Sequence, residues 1–328
     1  MDGLMTEAMI RADSLSKRYG AVEALKEASF VVNRGEIVGF LGPNGAGKTT
    51  TMKILTGYIS PTSGRAEVAG HDVETDSVEA RRAIGYLPEH TPLYTEMLVS
   101  EYLEYVAEMR GYKGAEAKKR IKKVVEETDL GAKLGAEIRA LSKGYRQRVG
   151  LAQALVHEPP ILILDEPLSG LDPNQAAGVR DLIRALGRER TVILSTHNLA
   201  EVQVTCQRVL IIAGGRLVAD DTPEGLTASR GRPRLLVTMK REPSFDASAF
   251  EARLRALSAV ENVRAIGLDD PGEIAFELTS ASGADARAEV FHAAVESRGV
   301  LLGLERRGGD LEDVFRSLTT EASKERAS

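Results

Sequence analysis

"EIVGFLGPNGAGKTT", Glu36 to Thr50, decides how the rest of the chain is read. Its first half, "EIVGFL", is a short apolar run of the kind that forms a buried strand. Its second half places Gly42, Gly47, Lys48 and Thr49 in the pattern G-x-x-x-x-G-K-[ST], followed by a helical stretch from Thr50 to Leu55. Glycines let backbone N–H groups wrap a phosphate, and the N-terminus of the following helix adds its dipole. At average residue usage a pattern this short arises by chance in roughly one chain of this length in a hundred. Its position between a strand and a helix is the context that gives it meaning, and it predicts a nucleotide site. Lys48 is expected to reach the β- and γ-phosphates, and the Thr49 hydroxyl to bind Mg²⁺.

Working outward, apolar strands alternate with helices. Met9–Leu15 and Ala28–Val32 read as strands around a turn at Gly20. Pro61–Gly64 reads as a turn, Arg65–Val68 as a strand, and Ala83–His90 as a strand broken by Pro88. From Val99 to about Leu134 the periodicity is helical. "PILILDEP" and "TVILSTHN" are buried strands, Pro173–Leu186 a helix, and "RVLIIAGGRLV" a hairpin around Gly214–Gly215. The order implies a mainly parallel sheet covered on both faces, an α/β P-loop fold. "SRGRPR", Ser229 to Arg234, looks like a linker. Beyond it the order is strand (Leu235–Met239), helix (Phe250–Leu257), strands (Val263–Gly267 and Ile274–Leu278), helix (Ala284–Ser297), strand (Val300–Leu304) and a closing helix (Leu311–Leu318). That split βαβ order predicts a small two-layer α+β domain. The domains are thus 1–228, with a helical part at about 90–155, and 229–328.

Bulk properties narrow the function. Of 328 residues 43% are hydrophobic and 28% charged, ordinary for a globular chain, and a net charge of -5 argues against a nucleic-acid binder driven by bulk charge. No apolar run approaches the ~18–20 residues that span a bilayer, and "MDGLMTEAMIRAD" does not read as a signal peptide. Any membrane role is expected to go through a partner. The single cysteine, Cys206, forms no internal disulfide and reads as a small buried hydrophobe, consistent with a reducing cytoplasm.

Two further strand ends carry chemistry. Asp165 closes an apolar strand where it can hold Mg²⁺, and Glu166 directly after it is placed to polarise an attacking water. His197 ends the strand "TVILSTHN", and its strand-end position in an α/β sheet favours a role at the γ-phosphate over a structural one. "ALSKGYRQRVG", Ala140 to Gly150, is the odd stretch. It holds a hydroxyl (Ser142), a glycine (Gly144) and cations (Lys143, Arg146, Arg148) far from the first phosphate cradle, like half of a second site. Lys113–Lys123, "KGAEAKKRIKK", reads as a solvated basic helix face, with anionic headgroups or a membrane partner as the minority alternative.

In order and spacing, "GPNGAGKTT", "LSKGYRQRVGLAQAL", "LILDEP", "SGLD" and "STH" resemble the ATP-binding subunit of an ATP-binding-cassette (ABC) transporter, over about Met9 to Leu226. "GYLPEHTPLYTEMLVSEYL", "SGLDPNQ" and the terminal "LEDVFRSLT" look most like type-2 exporter ATPases of the gliding-motility and multidrug-type branch. The resemblance implies an ATPase with ATP and Mg²⁺ as ligands and a separate transmembrane permease as partner. It implies a cytoplasmic location on the inner face of the cell membrane, and no nucleic acid.

Carried over by residue, Gly42, Pro43, Asn44, Gly45, Ala46, Gly47, Lys48, Thr49 and Thr50 would hold the phosphates, Tyr19 would stack on adenine, and Thr49, Asp165 and Glu89 would face the metal. Glu166, His197 and Lys48 would be catalytic. Two such domains would dock head to tail, so that Ser142 and the backbone at Gly144 bind the γ-phosphate held by the other subunit, with Asp172 at the same interface. That is what a half-site in one chain would be for. Lys143 and Tyr145 depart from the commonest Leu-Ser-Gly-Gly-Gln form, Lys143 adding charge near the phosphate. Glu89 stands where most of the family has glutamine, and Gln207 where many relatives have aspartate. The competing class is a soluble ATPase of the same superfamily acting in translation or on chromosomes. Such proteins usually carry two cassettes or a coiled-coil insertion, whereas here one intact cassette is present. A P-loop kinase is excluded by the signature and "SGLD" motifs.

Overall fold

A computed structural model describes residues 7–230, 234–243, 245–268, 270–280, 285–307 and 311–324. The chain runs β1 (Ala8–Tyr19), β2 (Val22–Asn33), β3 (Ile37–Leu41), α1 (Lys48–Leu55), β4 (Ser63–Val68), β5 (His71–Asp72), α2 (Ser77–Arg82) and β6 (Ile84–Leu87). It continues with α3 (Val99–Met109), α4 (Gly114–Glu127), α5 (Lys143–Leu155), β7 (Ile161–Asp165), α6 (Pro173–Leu186), β8 (Thr191–Thr196), α7 (Leu199–Thr205), β9 (Arg208–Ala213) and β10 (Arg216–Asp221). After α8 (Pro223–Arg230) come β11 (Arg234–Lys240), α9 (Ala247–Arg255), β12 (Val260–Ile266), β13 (Glu273–Ser280), α10 (Arg287–Glu296), β14 (Leu301–Arg307) and α11 (Leu311–Lys324). Two compact units result, one made of the chain up to Thr222 with the segment from Leu318, the other of Pro223–Ser317.

The first unit holds two sheets. A six-stranded sheet has the order β10-β9-β3-β8-β7-β6, parallel throughout except for the hairpin strand β10. Every residue of β3, β7 and β8 is buried, which is why these strands read as unbroken apolar runs rather than alternating ones. An antiparallel sheet, β2-β1-β4-β5, shares a core with α1, in which Leu15, Leu25, Phe30, Phe40, Met52 and Ile54 are buried. The helical part is α3 to α5. Glu101 reaches back 3.0 Å to the Leu98 amide to cap α3, and Ser142 caps α5. The basic stretch falls on α4 and is partly neutralised there, since Arg120 bonds Glu116 and Glu158, and Lys123 bonds Glu158.

The second unit is an antiparallel sheet of order β12-β13-β11-β14 with helices α9 and α10 packed through Phe250, Leu254, Val290, Ala293 and Ala294 onto Val237, Phe276 and Leu278. This is the expected two-layer α+β arrangement. Of the helix expected over Ala284–Ser297, Ala284 lies outside the described residues, as do residues 1–6 of the N-terminal stretch.

Two local expectations are corrected. Ser229 and Arg230 end helix α8 and Arg234 opens β11, so these three residues are not linker; 231–233 of the expected stretch lie outside the described residues. Pro223 opens α8, where its missing N–H is no loss, and the helix runs on to Arg230 at the edge of the Gly/Pro/Arg-rich composition. Strand β4 already begins at Ser63, inside the expected turn, because Ser63 pairs with Ser16. Strand β6 breaks off at Leu87, directly before Pro88, as expected; its pairing with β7 ends there opposite Leu164.

Phe250 anchors the second core, its ring centroid 5.4 Å from both Phe245 and Phe276. Phe250→Ala is expected to destabilise this unit by about 3–5 kcal/mol, seen as a lower midpoint in denaturant unfolding. An unchanged midpoint would mean that the core is not closed around this ring.

Candidate functional site

Parallel pairing sets the site. Strands β3, β8, β7 and β6 are neighbours and run the same way, so the segments leaving their carboxyl ends meet at one edge of the sheet. In register, Leu41 pairs with Thr196, Asp165 with Ser195, and Leu87 with Leu164. The phosphate loop leaves β3, His197 follows β8, Asp165 and Glu166 close β7, and Glu89 follows β6. A cleft of about 470 Å³ there is lined by Asn44, Gly45, Gly47, Lys48, Thr49, Thr50, Glu89, Glu166 and His197, with Ala24 and Ser169.

The loop geometry demands its glycines. A Cβ at Gly42 would stand 2.4 Å from the Ile212 carbonyl oxygen, and one at Gly47, which has φ 113°, would stand 2.7 Å from that of Ala24. Helix α1 then starts with no side-chain cap and no acidic residue in its first turn, leaving its N–H groups and positive dipole end toward the cleft. Lys48 Nζ donates to the Gly42 carbonyl at 2.7 Å and lies 3.4 Å from Glu166 Oε1, with both side chains under a tenth exposed.

Glu166 has a left-handed backbone, φ 49°, and its amide donates to Ser195 Oγ at 3.1 Å. This turn carries the carboxylate from the strand end into the cleft, where His197 Nδ1 meets it at 2.9 and 3.1 Å. The His197 side chain is 53% exposed and therefore stands at the mouth. Asp165 is fully inside: its Oδ1 accepts from Ser195 Oγ and, at 3.4 Å, from Thr49 Oγ1, while its Oδ2 is buried without a partner.

The structure thus brings together the phosphate loop, Lys48, Thr49, Asp165, Glu166 and His197, with Glu89 exposed at the rim. It does not bring Tyr19, Ser142, Gly144 or Asp172 into this cleft. Tyr19, last in β1, is 48% exposed with Lys17 Nζ 5.5 Å from its ring centroid. Ser142 caps α5, and Gly144 N–H donates to Gln175 Oε1 at 3.1 Å. A second cleft, lined by Lys143, Arg146, Gln147 and the segment Glu89–Leu93, meets the first at Glu89 and Ser169. The motifs do not single out Ser195 or Gln175. Ser195 is next to last in β8, and a hydroxyl at the end of an apolar strand is the signal that points to it. Gln175 carries no such signal. Gln207 accepts from the Ile37 amide at 2.6 Å and is structural. Cys206 is buried, with its thiol pushed up to about 12 by desolvation, and takes no part in the cleft.

Fold and cleft together define a P-loop nucleotide hydrolase. Residues 25–169 match the ABC transporter family. The chain is 36% identical to the uncharacterised ABC transporter ATP-binding protein YxlF of Bacillus subtilis, over 82% of this chain and 86% of that one. It is 30% identical to the linearmycin resistance ATP-binding protein LnrL of the same organism, over 95% of this chain and 98% of that one. A solved dimeric ATP-binding cassette in a post-hydrolysis state with ADP and Pi is 26% identical, with a TM-score of 0.59, over 65% of this chain and 98% of that one. The chain belongs to the ABC transporter ATP-binding proteins. It is an ATPase subunit that energises such a transporter.

Glu166→Gln keeps the shape of the side chain but not its basicity. ATP binding is expected to persist while hydrolysis falls on the order of 10²–10⁴-fold, measured as single-turnover phosphate release. Near-normal turnover would move the base elsewhere.

Proposed function

We propose that the chain is the nucleotide-binding subunit of an exporter. On this account two copies close head to tail over two ATP molecules, and hydrolysis reopens them against a separate transmembrane permease. The catalytic half rests on one observation, the meeting of Lys48, Asp165, Glu166 and His197 at the mouth of the phosphate loop. The exporter assignment is supported by the linearmycin resistance protein, which is similar along nearly the whole chain, the second unit included. Dimerisation is supported by the dimeric cassette. Among the described residues no helix is long and apolar enough to cross a membrane, so the path would belong to the partner and the chain would sit on the inner face of the membrane.

Within the cleft, loop amides from Gly42 to Thr50 and the Lys48 ammonium hold and orient the phosphates. Glu166 takes the proton of the attacking water, and His197 holds the Glu166 carboxylate beside the γ-phosphate. A divalent cation fits the donor set. Asp165 Oδ2 is a buried carboxylate oxygen with no partner, close to the Thr49 hydroxyl, and both are hard oxygen donors. Among the described residues no cluster of three or more His, Cys, Asp or Glu side chains could hold a metal alone, which suits Mg²⁺ carried largely by phosphate and water. When bound, Mg²⁺ would neutralise phosphate charge and fix its geometry. Thr49 and Asp165 would hold it, with Glu89 facing it from the rim. Tyr19 offers an exposed ring face for adenine. The second unit contributes no residue to the catalytic cleft and would regulate or dimerise rather than catalyse.

Affinity purification from detergent-solubilised membranes tests the assignment. A co-purifying polytopic membrane subunit is expected, and recovery only with ribosomes or nucleic acid would favour the soluble class. Glu89→Gln is expected to remain an active ATPase that needs more Mg²⁺ for half-maximal rate, because a neutral carbonyl oxygen replaces a charged one. Superimposable Mg²⁺ titrations of the two proteins would remove Glu89 from the metal site.

A further inference from the structure

The half-site at the start of α5 is turned onto its own chain by two contacts. The Gly144 amide already has an acceptor, Gln175 Oε1 at 3.1 Å, on the first turn of α6. Gln175 is itself fixed, because its amide donates to the N-cap carboxylate of Asp172 at 2.9 Å. The Lys143 ammonium lies against Gly170. A Cβ built at Gly170 would stand only 2.3 Å from Lys143 Nζ, so a side chain there would push the exposed, flexible end of Lys143 aside; the φ of +65° also suits glycine. Gly170 sits in the loop that begins at Glu166, where Ser169 N–H closes on the Glu166 carbonyl at 3.1 Å and Leu171 N–H on that of Leu168 at 3.3 Å. The groups meant for a partner's nucleotide are thus seated on the loop that carries this chain's own hydrolytic carboxylate.

This seat is a weak one for Lys143. The residue opens a 13-residue helix whose first turn holds no acid, so its charge opposes the helix dipole. Among the described residues it has no ion pair and no hydrogen bond. A phosphate arriving at this helix end offers Lys143 an opposite charge. It also offers the Gly144 amide a charged acceptor in place of a neutral carbonyl, and charge-assisted hydrogen bonds are roughly twice as strong as neutral ones.

We propose that the Lys143–Gly170 and Gly144–Gln175 contacts form an intrachain latch that holds the half-site closed until partner-bound nucleotide displaces it, freeing the Glu166–Asp172 loop at the moment the dimer closes. The latch rests on the head-to-tail assembly proposed above and adds to it a competition within each chain. It makes opposite predictions for residues a few ångströms apart. Gly170→Ala puts a methyl group where the ammonium rests, and Gln175→Leu removes the acceptor, so both release the half-site. Lys143→Met removes the charge the nucleotide would gain, whereas Lys143→Arg keeps it.

The test uses the full-length chain in the Glu166→Gln background, following dimer formation by light scattering as ATP is raised in excess Mg²⁺. Gly170→Ala and Gln175→Leu are expected to lower the ATP concentration at half-dimerisation by roughly three- to tenfold, the scale of one hydrogen bond made charge-assisted. Lys143→Met should raise it by a similar factor, with Lys143→Arg close to the parent. ATP affinity at protein concentrations too low for dimers should be the same in all four, which separates a latch from damage to the phosphate loop. Releasing variants that leave the half-point unmoved, or shift it in the same direction as Lys143→Met, would overturn the latch alone. A Glu166→Gln parent that stays monomeric at saturating ATP would overturn the head-to-tail assembly and the latch with it.

Discussion

Everything at the site depends on the register of three buried parallel strands. Pairing β3 with β8 and β8 with β7 sets Leu41 beside Thr196 and Asp165 beside Ser195. A slip of one residue would turn the side chains of β7 to opposite faces and take the Asp165 carboxylate away from both Thr49 and the Ser195 hydroxyl. All residues of these strands are buried, so the slip would also drive polar groups against apolar packing on each face. The strength of the register lies in apolar burial and a complete backbone ladder. The precision of the site is inherited from it.

The price of that position is a set of charges held nearly out of water. Lys48 and Glu166 lie 3.4 Å apart with under a tenth of either side chain exposed. Breaking such a buried pair by removing one partner typically costs about 3–5 kcal/mol, whereas an intact pair contributes little net stability. The arrangement is therefore better understood as preorganisation than as folding energy. Loop carbonyls and Glu166 hold the lysine at the phosphate cradle, and Ser195 holds the turn of Glu166 from beneath. On the proposed mechanism the groups that would meet developing charge are already oriented, so they would not need to reorganise when it appears.

What the sequence made legible were features written into short contiguous strings. The phosphate loop, the aspartate–glutamate pair at a strand end and the strand-end histidine each declare themselves within about ten residues, because local backbone geometry dictates their composition. The split βαβ order of the second unit was equally readable from its alternating apolar runs. What remained hidden were contacts made only by tertiary docking. Ser195 reaches Asp165 across 30 residues and Gly144 reaches Gln175 across 31. A strand-end hydroxyl marks Ser195 but not its partner, and nothing local marks Gln175. The misread stretch near Ser229 failed for a different reason: glycine, proline and arginine resemble a linker by composition, while a helix entering from Pro223 continues to Arg230.

The phosphate loop and the start of α5 differ in how their polar groups are satisfied, and on the proposed head-to-tail assembly the difference follows from what each would do. The loop before α1 keeps its amides and dipole turned toward an open cleft, where solvent can serve them until a phosphate arrives. Gly144 is buried, so its amide cannot wait in the same way: an unpaired buried donor costs about 1–3 kcal/mol. Gln175 removes that cost within the lone chain. On the proposed assembly this amide serves a partner's nucleotide, so beforehand it needs a stand-in acceptor that is weaker than the ligand. A neutral side-chain carbonyl facing a phosphate oxygen meets that condition. Because Gln175 sits on α6, directly beyond the loop that carries Glu166, satisfying one buried amide ties the start of α5 to the segment that follows Glu166.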